Sequence, residues 1–86
     1  MNVSAQENTV RGVVKDAAGN PIIGASVVEK GTTNGMNTDE NGTYFLQLRS
    51  KNPVLEFSFV GYTSRTIPVG VQTTIDVVLE EDKAQL

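Results

Sequence analysis

What most constrains this chain is its punctuation. Clusters of Gly, Asn, Asp and Pro recur at roughly 8–12-residue spacing and divide it into short runs of alternating apolar and polar residues. Alternation with period two is the mark of a strand, whose successive side chains point to opposite faces. The residue types agree. Val, Ile and Thr supply 25 of the 86 residues, while Ala and Leu supply five each. β-Branched side chains lose rotamer freedom in a helix and fit a pleated sheet. With 38% hydrophobic and 20% charged residues the chain is ordinary globular material. Its length allows one small domain, and its class is all-β.

The runs can be followed in order. Thr9–Lys15 sets Val10, Gly12 and Val14 on one face against Arg11, Val13 and Lys15. Asp16-Ala17-Ala18-Gly19-Asn20-Pro21 is turn chemistry: Asp and Asn bond their own backbone, Gly permits positive φ and Pro fixes φ. A second strand is expected over Ala25–Lys30, with Ala25 and Val27 inward, and a short third over Met36–Thr38. Asp39-Glu40-Asn41-Gly42 reads as a tight hairpin turn, since Asn-Gly tolerates the left-handed conformation. Thr43–Leu48 then turns Tyr44, Leu46 and Leu48 to one side. Val54–Val60 sends Leu55, Phe57 and Phe59 inward. Gly61 breaks that run, and Tyr62–Val69 follows, with Pro68 marking an edge or a strand end. The last run, Thr73–Glu80, points Ile75, Val77 and Leu79 inward. The expected fold is a seven-stranded antiparallel two-sheet sandwich over residues 9–81.

Residues 1–8 read as a flexible N-terminal arm and 82–86 as a C-terminal tail. Val3-Ser4-Ala5 has the small-residue spacing of a signal-peptidase site, which would make Gln6 the mature start; a plain polar tail behind Met1 is the other reading. An end so soon after the last strand suggests a domain excised from a longer chain.

Composition excludes several chemistries. With neither His nor Cys, the chain lacks an essential part of cysteine proteases, thiol redox sites, zinc fingers and Ser-His-Asp triads. A formal charge of −3, with seven dispersed basic residues, argues against a nucleic-acid partner. No apolar stretch approaches the roughly 20 residues of a membrane helix, so no membrane insertion by this segment is expected.

The candidate sites are weaker than their structural explanations. Asn37, Asp39, Asn41 and Gly42 match the start of a calcium loop, but Leu48 stands where its bidentate Glu belongs. A turn explains them better. The acids Asp39-Glu40 and Glu80-Glu81-Asp82 read as solvated charge, because acid–base work needs an environment that raises one pKa. Ser58 and Ser64 have no histidine to activate them. Tyr62 after Gly61 is either an exposed contact or a tyrosine packed at a sandwich corner. With no Trp, and Phe57 and Phe59 assigned to the core, an aromatic platform for a glycan is poorly supplied. The expectation is a non-enzyme with no catalytic, cofactor-binding or metal residues and no cofactor.

Four segments together resemble the carboxypeptidase-regulatory-like family. They are Val10-Arg-Gly-Val-Val-Lys-Asp16, Gly19-Asn-Pro-Ile-Ile-Gly-Ala-Ser-Val-Val-Glu-Lys-Gly-Thr-Thr-Asn-Gly35, Thr38-Asp-Glu-Asn-Gly-Thr-Tyr44 and Leu55-Glu-Phe-Ser-Phe-Val-Gly-Tyr62. More narrowly, they are similar to the version at the N-terminus of SusC-like TonB-dependent outer-membrane transporters of Bacteroidetes. The resemblance covers about Thr9 to Glu81. It implies a transthyretin-like, Ig-like sandwich on the periplasmic face of the outer membrane, preceding a TonB-contacting segment, plug and barrel. The implied partners are that plug and barrel in the same chain, and TonB or another periplasmic protein. Ile23 departs from the family, which often has a second proline there. The valine-rich TonB box that usually follows such a domain is not within the 86 residues, so the segment alone would transport nothing.

The implied role is accessory and non-enzymatic: positioning or regulating the TonB-coupling segment of an importer of glycans or oligopeptides. The alternative is an independent extracytoplasmic binding module for a carbohydrate or protein ligand, using the loops Gly31–Asn37 and Gly61–Ser64.

Overall fold

The computed structural model describes residues 8–83. Every regular element among them is a strand: β1 (Thr9–Asp16), β2 (Ser26–Glu29), β3 (Gly35–Asn37), β4 (Thr43–Gln47), β5 (Val54–Ser58), β6 (Arg65–Pro68) and β7 (Val77–Leu79). They form two sheets, ordered β4-β1-β7 and β3-β2-β5-β6. The chain is a two-sheet sandwich. Val3-Ser4-Ala5 and the last three residues lie outside the described residues.

The apolar faces read from the alternation form the core. Val10, Val14, Ala25, Val27, Tyr44, Leu46, Leu48, Leu55, Phe57, Ile75, Val77 and Leu79 are all buried, joined by Ile22 and Val69. Tyr44 from one sheet meets Phe57 from the other edge-on, with ring centroids 5.4 Å apart at 73°. Such a pair contributes about 0.5–1.5 kcal/mol beyond its area.

Four details differ from the sequence reading. First, β1 and β7 run parallel, with Val14 opposite Val77 and Asp16 opposite Leu79, while the other pairings are antiparallel. After β6 the chain turns at Val69–Gln72 and changes sheet. It rejoins beside Arg11, at the end where β1 begins, and so runs the same way. Parallel neighbours always need a crossover of this kind.

Second, only Val77–Leu79 of the expected Thr73–Glu80 strand is regular, with Thr74 adding a lone bridge to Arg11. The ladder breaks at Ile75, whose carbonyl accepts the Tyr44 hydroxyl at 2.7 Å. The Val13 amide is served instead by Asp76 Oδ1 at 2.9 Å.

Third, Asp39–Gly42 is a turn but not a hairpin, because β3 and β4 belong to different sheets. Gly42 N–H donates to the Asp39 carbonyl at 2.9 Å, and Asp39 N–H to the Thr43 carbonyl at 3.1 Å. A two-residue type I′ hairpin turn needs both central residues left-handed. Gly42 is left-handed at φ 74°, but no non-glycine among the described residues is, so Asn41 does not qualify. Buried Thr38 holds the end of β3 on its own sheet. Its hydroxyl donates to the Ile22 carbonyl at 2.6 Å and accepts from Ala25 N–H at 2.8 Å.

Fourth, β5 stops at Ser58 and Phe59 is only partly buried, since the chain turns through Phe59–Tyr62 before β6 starts at Arg65. Pro68 does end an edge strand, where its missing N–H breaks no ladder.

Candidate functional site

The described chain enters and leaves at opposite ends of the sandwich. Thr9 pairs with Gln47 at one end, and Asp16 with Leu79 at the other. The exit is held by a short extra ladder. Thr63 N–H donates to the Glu80 carbonyl at 2.9 Å, Asp82 N–H donates to the Gly61 carbonyl at 2.9 Å, and Tyr62 bridges Glu81. The Phe59–Tyr62 turn that receives it is closed by Tyr62 N–H on the Phe59 carbonyl at 3.0 Å, with Gly61 at φ 87°. Its tip, Val60, is 85% exposed.

Two grooves flank this turn. One, of about 490 Å³, is lined by Gly24, Ser26, Ser58, Phe59 and Val60 and holds no charged side chain. The other, of about 330 Å³, is lined by Asp16, Ala17, Ala18, Tyr62, Glu80, Glu81 and Lys83. Tyr62 is the packed tyrosine of the two readings the sequence offered, half-buried at this corner. Its ring packs on the core, 5.8 Å from the Phe59 ring, and it lines a groove. The Asp16 carboxylate beside it accepts Asn20 N–H and Ala18 N–H, each at 2.9 Å. The Asn20 amide does most to hold it below the usual carboxylate range.

The opposite end holds a group that sequence reasoning missed. Glu29 is fully buried at the end of β2. Its carboxylate accepts Asn34 Nδ2 at 2.8 Å, Arg49 N–H at 2.9 Å and Ser50 N–H at 2.6 Å. Burial alone would raise its pKa. The Ser50 hydroxyl, Asn34 amide and two backbone N–H groups outweigh that and bring it down from 4.5 to about 2. One signal for it was available, since Glu29 continues the inward parity of Ala25 and Val27. Its low pKa suits it to clamp the loops 31–34 and 48–50, not to exchange protons near neutral pH.

The remaining expected positions are structural or dispersed. Asp39 Oδ1 accepts Asn41 N–H and Thr43 N–H, each at 2.9 Å, so the calcium-like pattern is occupied in a turn. Ser58 sits opposite Ser26 and lines the uncharged groove, while Ser64 is exposed. Glu40, Glu80 and Glu81 are exposed. Of the expected surface Gly31–Asn37 with Gly61–Ser64, the residues Gly31–Asn34 lie far from Gly61–Ser64, while β3 returns to Asn37, opposite Ser26. In the β2–β5 ladder Glu29 faces Leu55 and Ser26 faces Ser58, which puts those two segments at opposite ends. Only the β3 end of that expected surface therefore approaches Gly61–Ser64.

The edge strands β4, β6 and β7 are blunted as well. On β4, Phe45 N–H donates to Met36 Sδ at 3.3 Å, and the Gln47 carbonyl accepts Asn34 Nδ2 at 2.8 Å. On β7 the Val78 carbonyl accepts Arg65 Nη1 at 3.4 Å, and β6 ends in proline. Short, capped edges of this kind resist pairing with another strand.

Comparison with known proteins now adds the family. The model of the CarboxypepD_reg-like domain matches residues 10–86, and the chain belongs to that family. TonB-dependent receptor SusC of Bacteroides thetaiotaomicron is 44% identical over 78 residues, covering 91% of this chain and 8% of that protein. A TonB-dependent receptor of Formosa agariphila is 36% identical over 85 residues, covering 98% of this chain and 8% of that protein. The chain thus spans about 8% of the length of either relative. Among solved structures, a C-terminal interface mutant of the type II cohesin–X-dockerin complex from Acetivibrio cellulolyticus superposes with a TM-score of 0.63 at 22% identity. It covers 83% of this chain and 52% of that one. At that identity the likeness shows the fold.

Proposed function

We propose that this chain is the non-enzymatic, periplasmic N-terminal accessory domain of a SusC-like TonB-dependent outer-membrane transporter. In that reading it precedes the plug and barrel of the same polypeptide and holds the TonB-coupling segment in place during uptake of glycans or oligopeptides. The observation that carries the reading is the match to SusC across nearly the whole domain, while the domain is a small fraction of the receptor. The geometry supports it in a specific way. The exit is tied to the sandwich by Gly61–Thr63, which fixes the chain as far as Asp82.

Removing the domain from its full-length transporter is the test. Uptake of the cognate nutrient should fall, while substrate binding at the cell surface stays intact. Unchanged uptake overturns the reading.

A further inference from the structure

The fold does not use Val60. Gly61 provides the left-handed position that the turn requires, and the Val60 side chain stands in solvent. Together with Gly24, Ser26, Ser58 and Phe59 it lines a shallow, open groove free of charged side chains. Ile23, directly before Gly24, is also exposed. Exposed Val60 and Ile23, with half-buried Phe59 beside Gly24, form an apolar group, and grouped apolar side chains mark contact sites where single ones do not.

The exit identifies the occupant. Asp82 N–H is bonded to the Gly61 carbonyl, so the chain leaves one residue from Val60. In the relatives more than nine-tenths of the protein lies outside the matched segment. We propose that the Val60 turn and its groove dock onto the body of the same transporter chain, the part that follows Lys83. This rests on the function proposed above. Joining within one polypeptide makes the contact intramolecular, so it needs fewer apolar side chains than a contact between separate molecules. The caps on β4, β6 and β7 disfavour strand addition at those edges.

The experiment compares amide hydrogen exchange at Val60 and Gly61 in the 86-residue chain and in the purified full-length transporter. Exchange should be at least about tenfold slower in the transporter. Val60→Asp should abolish the difference and reduce uptake, with the melting temperature of the 86-residue chain unchanged. Equal exchange in the two forms overturns the docking, as does protection that appears only when a separate periplasmic protein is added. Deletion of the whole domain separates the two readings. If deletion lowers uptake while Val60→Asp leaves exchange and uptake as they were, the docking fails and the accessory role stands. If deletion leaves uptake unchanged, the accessory role fails.

Discussion

The Tyr44 hydroxyl reaches the Ile75 carbonyl at 2.7 Å by passing under β1 at Gly12. Tyr44 is the register partner of Gly12, and in sheet order β4 and β7 lie on either side of β1. A Cβ built on Gly12 would lie 1.9 Å from the Ile75 oxygen. The glycine is there because two strands are being joined beneath it.

Stability should therefore respond to each member of this trio. Tyr44→Phe leaves a buried carbonyl without its donor and should cost about 1–3 kcal/mol in urea unfolding. Gly12→Ala displaces the same carbonyl and should cost at least about as much. Because both remove one interaction, the double variant should be less destabilised than the two losses added. Full additivity would show that Gly12 serves some other purpose. The buried Tyr44 phenol is also pushed up in pKa, mainly by desolvation. A raised folded pKa gives stability that is present below the unfolded value of 10 and is lost as pH rises above it. Tyr44→Phe should flatten that alkaline limb.

Glu29 gives the acid limb. Its folded pKa is depressed from 4.5 to about 2, so its contribution is complete above 4.5 and disappears as pH falls from 4.5 through 2. Thermal melts between pH 5 and 2 should show the loss. Glu29→Gln should remove most of that pH dependence and cost about 1.5–3 kcal/mol at neutral pH, since its amide N–H₂ must face the Arg49 or Ser50 N–H. A Gln variant that keeps the wild-type acid limb would assign it to other carboxylates.

Much of this was legible in the chain. Strand alternation gave the core because each face is half of a two-layer sandwich, and inward Val10, Phe57 and Ile75 differ in plain hydropathy from outward Arg11, Glu56 and Asp76. What stayed hidden were relations between distant segments. Nothing local in Asp39–Gly42 says that its flanking strands go to different sheets, since the turn bonds are the same either way. The parallel course of β7 depends on where the chain leaves β6 and rejoins β1, and Ile75 meets Tyr44 from 31 residues away in sequence. Glu29 is polar at an inward position, and only its loop partners, 5 to 21 residues on, make that burial tolerable.

Two turn glycines separate conformational strain from steric exclusion. Gly42 is left-handed, and a Cβ there would come within 2.8 Å of both the Val14 carbonyl oxygen and Pro21 Cβ. Gly19 is left-handed at φ 90°, but nothing lies within 4 Å of its Cβ position. Gly19→Ala should cost only the left-handed strain, about 1–2 kcal/mol. Gly42→Ala should add a clash with the β1 backbone, for another 1–3 kcal/mol or so. Equal losses in chemical denaturation would mean the Pro21 segment moves aside freely.

Deletion of Thr73–Glu80 should abolish the fold. The segment supplies Ile75, Val77 and Leu79 to the core, closes the β1 edge and accepts the Tyr44 hydroxyl. Burial of three such side chains is worth on the order of 5–9 kcal/mol. A small domain has a total stability of about 5–15 kcal/mol, so losing them together with the β1 ladder exceeds or nearly exhausts the margin. The deletion also exposes β1 as a long apolar edge flanked by Val10 and Val14, which favours aggregation over a native-like remnant. Proton NMR of the truncated chain should show collapsed amide dispersion, and calorimetry no cooperative transition. A dispersed spectrum with a sharp melt would mean that the four-stranded sheet β3-β2-β5-β6 folds by itself, and that the sandwich is not the cooperative unit.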